Sequence, residues 1–464
     1  MHRFALLASL VLLARPAPDP RAAAIVDNAL HHMGGATALR GLTRVRLEMM
    51  TQWQRTSFDA RPYTDLPSYE RHTELRDYSI PAWRNLRRFT AGATTREITD
   101  VVRDSVAIRR MNDAWAPLNV AYVDERRELF TFAPERVLLY ARDAADLRAL
   151  GDTTIGAVVH ARVAATVNGF PTTLFFRRTD GLLAMARYQA AQPNDFGLTP
   201  WGRMEVEMWY SRWAPAPGGV SLPMQWDVRR VGRPYKRMTV LALSLDSSAS
   251  ADSFAVSDSL RGAFFATANR PMHDVPLDSA RMVEPRLARF AAFAYPAGAV
   301  RLGGNWLLLE SGQAPLNAER AVDWLTRTDP AGRIAGAVLS LPAAANGGVV
   351  WLAQRGTPLY TGPGAVRFIG TILRNHGRSL PRGAEIPRGQ WLRVSGDSAW
   401  VEPIDLPDAA GSLLLYVPSL KWAYTAVATG PLQQQYVVER IREHGWEVER
   451  IGSLRELWAA APGT

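Results

Sequence analysis

A chain of 464 residues, 47% hydrophobic and 21% charged, has globular composition and more length than one hydrophobic core organises. A mostly disordered protein is excluded, and at least two domains are expected. The formal net charge of +10 rests almost wholly on arginine, because Lys236 and Lys421 are the only lysines. No Lys/Arg block or zinc-finger spacing accompanies it, so nucleic acid is not an expected partner, whereas acidic protein surfaces and anionic headgroups are compatible. The absence of cysteine removes disulfides, thiolate metal sites and cysteine nucleophiles together.

At the N-terminus, His2 and Arg3 precede a largely apolar run from Phe4 to Ala14, followed by a Pro- and Ala-rich stretch from Arg15 to Arg21. That order predicts an export signal. At 11 residues the run is too short for a bilayer core, which needs roughly 20. Residues 1–24 are therefore expected to act as an export signal or, if uncleaved, a short membrane tether. The expected location is periplasmic, peripheral to or tethered at the cytoplasmic membrane.

Ile25, Val26, Ala29 and Leu30 then recur at helical spacing, and Gly34-Gly35 ends the helix. His31 and His32 point to different sides of it and suit the helix C-terminus better than a shared metal. After Leu42 the pattern becomes alternation, as in Val45, Leu47 and Met49 or Met204, Val206, Met208 and Tyr210. Asn168-Gly169, Asp180-Gly181 and Pro217-Gly218-Gly219 punctuate the runs as turns. One helical interruption is expected over 123–145, with Leu129, Phe130, Phe132, Val137, Leu138 and Leu139 packing into the concave side of an antiparallel sheet. Helix, Gly-Gly and long antiparallel strands in that order resemble the half-barrels of periplasmic lipoprotein-carrier and lipoprotein-sorting proteins. The resemblance covers about residues 22 to 260 and implies an α+β domain over 25–260. It also implies an apolar concavity able to hold acyl chains, unless the helix and loops fill it.

The serine-rich stretch Asp246–Ser259 is expected to close this domain, with 261–297 as a connection. Beyond it, short apolar runs alternate with helical segments: strands at 306–309, 335–341 and 412–417, helices at 319–326, 348–355, 365–375 and 433–444. This pattern argues for an α/β domain over 298–464.

Within it, the segment Ala337-Val-Leu-Ser-Leu-Pro-Ala-Ala-Ala-Asn-Gly-Gly348 is similar to the metallo-β-lactamase-superfamily strand and loop that normally read T-H-x-H-x-D-H-x-G-G. The run from Val349 to Tyr360 resembles the helix and strand that follow that loop. The run from Gly411 to Tyr424, with its Tyr416-Val-Pro418, resembles a later strand pair. The resemblance implies a fold whose chemistry depends on one or two metal ions held by His and carboxylate groups. Every ligand position is lost: Ser340 and Pro342 stand at the first two histidines, Ala344 at the aspartate and Ala345 at the third histidine. Asp408 falls near the next histidine and Val427 near the bridging aspartate. The domain's only histidines are His376 and His444. No G-x-S-x-G elbow or phosphate-binding glycine loop replaces the missing chemistry.

No catalytic, cofactor-binding or metal-binding residue and no cofactor are therefore expected. The aromatic residues Trp351, Trp391, Trp400, Trp422 and Tyr424 are core packing or partner anchors. The expectation is an exported pseudoenzyme, derived from a metal-dependent hydrolase, that serves as scaffold or accessory subunit of a membrane protein complex, with possible lipid contact. The alternatives are a periplasmic carrier of a lipid or other apolar ligand, and a hydrolase with an unrecognised site.

Overall fold

The computed structural model describes residues 19–54, 68–91, 94–192, 202–245, 250–271, 277–291, 296–340, 346–407, 409–427, 430–454, 456 and 459–460. Helices α1 (Pro20–His32) and α2 (Ala36–Gly41) lead into β1 (Arg44–Trp53), β2 (Ser68–Asp77), β3 (Ala82–Ala91), β4 (Thr94–Arg103), β5 (Val106–Met111) and β6 (Ala114–Pro117). Helices α3 (Ala121–Thr131) and α4 (Pro134–Arg142) follow. A second meander comprises β7 (Arg148–Ile155), β8 (Val158–Val167), β9 (Phe170–Arg177), β10 (Leu183–Gln192), β11 (Gly202–Ala216), β12 (Val220–Arg230) and β13 (Arg233–Ser244). Antiparallel pairing of β1 with β13 joins the meanders into one 13-stranded sheet with β6 and β7 at its edges.

Alternation decides which face the helices cover. Val45, Leu47 and Met49 of β1 share a buried cluster with Val206 of β11, Val26 and Leu30 of α1, and Val137 and Leu138 of α4. The single helix expected over 123–145 is two. Pro134 occupies the first turn of α4, where its missing N–H costs nothing, but it cannot continue α3, which closes with Phe132 N–H donating to Glu128 C=O. Asn168-Gly169 forms the β8–β9 turn with both residues at positive φ, as that dipeptide predicts. The face expected to offer an apolar concavity is occupied by the chain's own helices, the plainer of the two sequence expectations.

After β13, a helical turn at Ala251–Phe254 and α5 (Asp258–Ala263) fold back on the opposite face, where Phe254 and Phe264 cover Val101 and Ile108. The connection expected over 261–297 is largely structured: it contains β14 (Ser279–Glu284) and β15 (Leu287–Ala291), which begin the next sheet. That sheet continues through β16 (Ala297–Leu302), β17 (Asn305–Leu309), β18 (Ile334–Leu339) and β19 (Leu359–Thr361). A second six-stranded sheet contains β20 (Gln390–Val394), β21 (Asp397–Leu406), β22 (Ala409–Val417), β23 (Trp422–Tyr424), β24 (Arg450–Gly452) and β25 (Ala459–Ala460).

The two sheets face one another, with Val300, Leu307 and Leu309 meeting Val401, Leu413 and Leu415. Helices α6 (Pro315–Thr328), α7 (Val349–Gln354) and α8 (Pro363–Asn375) cover the outer side of the first sheet through Leu325, Leu352 and Phe368. Helix α9 (Pro431–His444) covers the second through Val437 and Ile441. The layers run helix, sheet, sheet, helix. The α/β expectation holds only coarsely, since parallel pairing is confined to β17–β18–β19 and β23–β24. Gly202, at φ +72°, admits the His376 imidazole against β11; a Cβ there would lie 2.5 Å from the ring. His376 is thus a packing residue between the two parts of the chain.

Candidate functional site

Among the described residues, two sets of buried polar side chains bear on function. The first lies where the parallel strands β17 and β18 of one sheet end close to the end of β23 of the facing sheet. Ser340 follows β18, is fully buried, and gives both its N–H (2.8 Å) and its hydroxyl to Glu310. Asn346 Nδ2 donates to the other Glu310 oxygen at 2.9 Å, and Ala426 N–H donates to Ser340 Oγ at 3.2 Å. Glu310 ends the apolar run of β17 at φ +61°, a left-handed conformation that turns its carboxylate under the strand ends. Tyr424, fully buried beside this cluster, has its phenol pKa raised well above the usual value, first by burial and then by the Glu310 charge.

Of the positions aligned with metal ligands, the structure brings Ser340 next to Ala426 and hence to Val427, which packs half-buried against the inter-sheet core. Pro342, Ala344, Ala345 and Asp408 lie outside the described residues. Among the described residues, no three His, Cys, Asp or Glu side chains converge as metal ligands. His444 lies elsewhere, bound to Glu402 at 2.9 Å and stacked on Trp446. Of the aromatic residues singled out from the sequence, Trp422 and Tyr424 are core, whereas Trp391 is exposed beside Trp400. Sequence reasoning missed Glu310 and Asn346; the available signal was a lone acid ending the apolar run Trp306–Leu309.

The second set lines the helix-covered face of β2–β5. Glu70, His72, Glu74 and Arg76, at alternate positions of β2, all point inward. His72 bonds Thr51 at 2.8 Å and Asn85 at 3.0 Å; Arg76 donates to Glu74 at 2.7 Å and lies 3.5 Å from Glu135. Arg87 and Arg109 both donate to Asp100, at 2.8 and 2.6 Å, and Tyr188 donates to Glu128 at 2.6 Å. Buried charges at this density are tolerable only because each is paired, an unpaired one costing several kcal/mol. The cavity they enclose, about 40 Å³, has room for water and none for an organic ligand.

At its mouth, Glu125 sits 3.9 Å from Lys236, and burial pushes its carboxyl up to about 7 against that cation. Because the folded value lies above that of an unfolded glutamate, about 4.3, its contribution to stability is full at low pH and is lost as pH rises towards 7. Glu125→Gln is therefore expected to gain about 1–3 kcal/mol over the wild type at pH 8 and almost nothing at pH 4. Urea midpoints at the two pH values check this; an equal effect at both would contradict it.

A larger cavity of about 540 Å³ opens on the other face of the sheet, with a mixed lining that includes Gln52, His160, Arg177, Trp209, Asp227 and Arg237.

No protein-family model matches the sequence, and no curated protein matches it. Solved structures similar to it include a stereoselective inverting sec-alkylsulfatase from Pseudomonas sp., at 12% identity and TM-score 0.33, covering 41% of this chain and 40% of that one. A metallo-β-lactamase from Pontibacter korlensis is similar at 10% identity and TM-score 0.30, over 37% of this chain and 88% of that one. A putative outer membrane lipoprotein-sorting protein domain from Vibrio parahaemolyticus is similar at 7% identity and TM-score 0.32, over 50% and 97%. The chain spans about two fifths of the alkylsulfatase's length. Solved structures similar to this chain thus include metallo-β-lactamases and a lipoprotein-sorting protein domain.

Proposed function

We propose that the protein is an exported, non-catalytic binding subunit that holds its surfaces against a membrane-associated protein complex on the periplasmic face. The observation that carries this reading is the Glu310–Ser340–Asn346 cluster. At the strand ends where a metal-dependent hydrolase of this resemblance would keep ligands around open space, this chain keeps a carboxylate already satisfied by three donors. A side chain committed in that way ties the strand ends together and presents nothing to a substrate. The carrier alternative draws on the 540 Å³ cavity rather than on the helix-covered face. Its mixed lining suits an acyl chain less well than an apolar one would. No helix among the described residues is long and apolar enough to cross a membrane. On this reading, membrane attachment comes from the partner, supplemented by the N-terminal segment.

Elemental analysis of purified protein after dialysis is expected to find less than one zinc, iron or manganese per chain. One retained metal per chain, lost on substitution of Ser340 or Glu310, would overturn the non-catalytic half of the reading.

A further inference from the structure

The arginines of β2–β5 divide by strand register into two sets. Arg76, Arg87 and Arg109 point to the helix-covered face and are tied to Glu74 and Asp100. Arg71, Arg84, Arg88 and Arg110 point to the opposite face, as their pairing with Met50, Val101, Glu97 and Thr99 requires. On that face most cations are already matched: Arg71 lies 3.7 Å from Glu48, Arg88 2.9 Å from Glu97, and Arg103 3.8 Å from Asp104. Arg84 and Arg110 are the exceptions. Neither has a carboxylate within ion-pair distance among the described residues, and Arg110 lowers the pKa of Arg84, second only to burial, by like-charge repulsion.

Thr99 pairs with Arg110 across β4 and β5 and stands diagonal to Arg84 on the same face; it is buried, and its hydroxyl has no hydrogen-bond partner. Arg110 also lies over the ring of Trp115, 5.9 Å from its centroid. Trp115 is 40% exposed on β6, one of the two edge strands of the sheet. Two mutually repelling, half-buried guanidinium groups are destabilising in the free chain and become stabilising once a shared anion lies between them. Exposed Trp and Arg are also the residues most often found to anchor protein contacts.

We propose that the part of the β3–β6 face around Arg84, Arg110 and Trp115, beyond the part that Phe254 and Phe264 cover, is the docking surface for an acidic segment of a protein partner, whose carboxylate is clamped by Arg84 and Arg110 while Trp115 packs against the adjoining chain. The distance from β3 to β6 is three strand spacings, about 14 Å, which an extended segment of a few residues covers. A protein carboxylate fits better than a lamellar anionic surface. Glu48, Glu97 and Asp104 share the face with the arginines, so the positive charge is confined to this pair, whereas a membrane surface would also meet the acids. This assignment deepens the proposed binding role and rests on it. Its test uses purified protein and a defined probe, so it can fail while complex formation in the native membrane still holds.

Fluorescence anisotropy of a labelled oligoglutamate peptide, at low salt, measures the contact in the full-length protein. The Arg84→Ala/Arg110→Ala variant should bind about tenfold or more weakly. Arg88→Ala, whose arginine is already paired, should stay within about twofold, and Arg84→Lys/Arg110→Lys, which keeps the charge but not the planar fork, should fall between wild type and the double-alanine variant, separating lost charge from lost fold. Equal binding by wild type and the double-alanine variant would overturn the proposal. So would the converse pattern, in which phosphatidylglycerol vesicles sediment the wild type but not the double variant while the peptide binds neither; the anion would then be a lipid headgroup.

Discussion

Glu310→Ala is expected to lower the stability of the C-terminal part of the chain by about 3–5 kcal/mol, near the upper end for a single substitution. The carboxylate is 1% exposed and accepts from Ser340 N–H, Ser340 Oγ and Asn346 Nδ2, while its own N–H donates to Val338 C=O. Truncation leaves three donors facing a cavity, each losing its partner without regaining water. It also removes the link from β17 through Ser340 to Ala426 after β23. Glu310→Gln is expected to fall between wild type and Ala, because its amide keeps one acceptor oxygen but puts an NH2 donor where the second acceptor was, facing donors already there. Guanidinium unfolding followed through buried Trp306 and Trp422 reads the effect. A loss under about 1 kcal/mol for the alanine variant would mean that water replaces the carboxylate and that the cluster does not hold the strand ends.

The second large effect is expected at Arg76, the largest charged side chain fully buried by the sheet. It donates to Glu74, lies 3.5 Å from Glu135 and sits over the Trp226 ring, 5.0 Å from its centroid. Arg76→Ala leaves two carboxylates in the interior without their cation, at a cost of about 3–5 kcal/mol. The pH dependence carries the diagnosis. Desolvation is the largest influence on Glu74 and pushes its pKa up, yet Arg76 and then His72 bring the net value below that of a free glutamate. A depressed carboxylate stabilises the fold fully above its unfolded pKa and loses that contribution as pH falls through the folded value. The deficit of Arg76→Ala should therefore be greatest near neutrality and shrink in acid, as Glu74 takes up its proton. Adding Glu74→Gln and Glu135→Gln should recover part of it at pH 7. Melting temperatures across that pH range measure both; a deficit independent of pH would assign the loss to packing on Trp226 instead.

The legible parts of the fold were those governed by periodicity. Alternation in 45–49 and 204–210, the Asn168-Gly169 turn and the helices near 319–326, 365–375 and 433–444 all stand in the structure close to the expected places. Two kinds of feature were not legible. Local breaks with a tertiary cause, such as the division of 123–145 at Pro134, need the packing of two short helices against one sheet to be seen. The charged face of β2 was hidden for a different reason. Residues 69–77, Tyr-Glu-Arg-His-Thr-Glu-Leu-Arg-Asp, are polar at both parities, so alternation cannot say which face is covered. Only pairing of β2 with β1 and β3 places Glu70, His72, Glu74 and Arg76 under the helices. At the strand ends, the sequence singled out Ser340 only through a resemblance, and its hydrogen bonds to Glu310 join residues 30 positions apart and have no local signature.

Size separation of salt-washed native membranes, extracted in mild detergent, tests the central claim most directly. A binding subunit should resist the salt wash and elute with a constant set of partner proteins, in fixed proportion, at a mass well above that of one 464-residue chain. Recovery of the protein only as a free monomer, with lipid but no co-eluting subunit, would contradict the scaffold reading and favour a carrier.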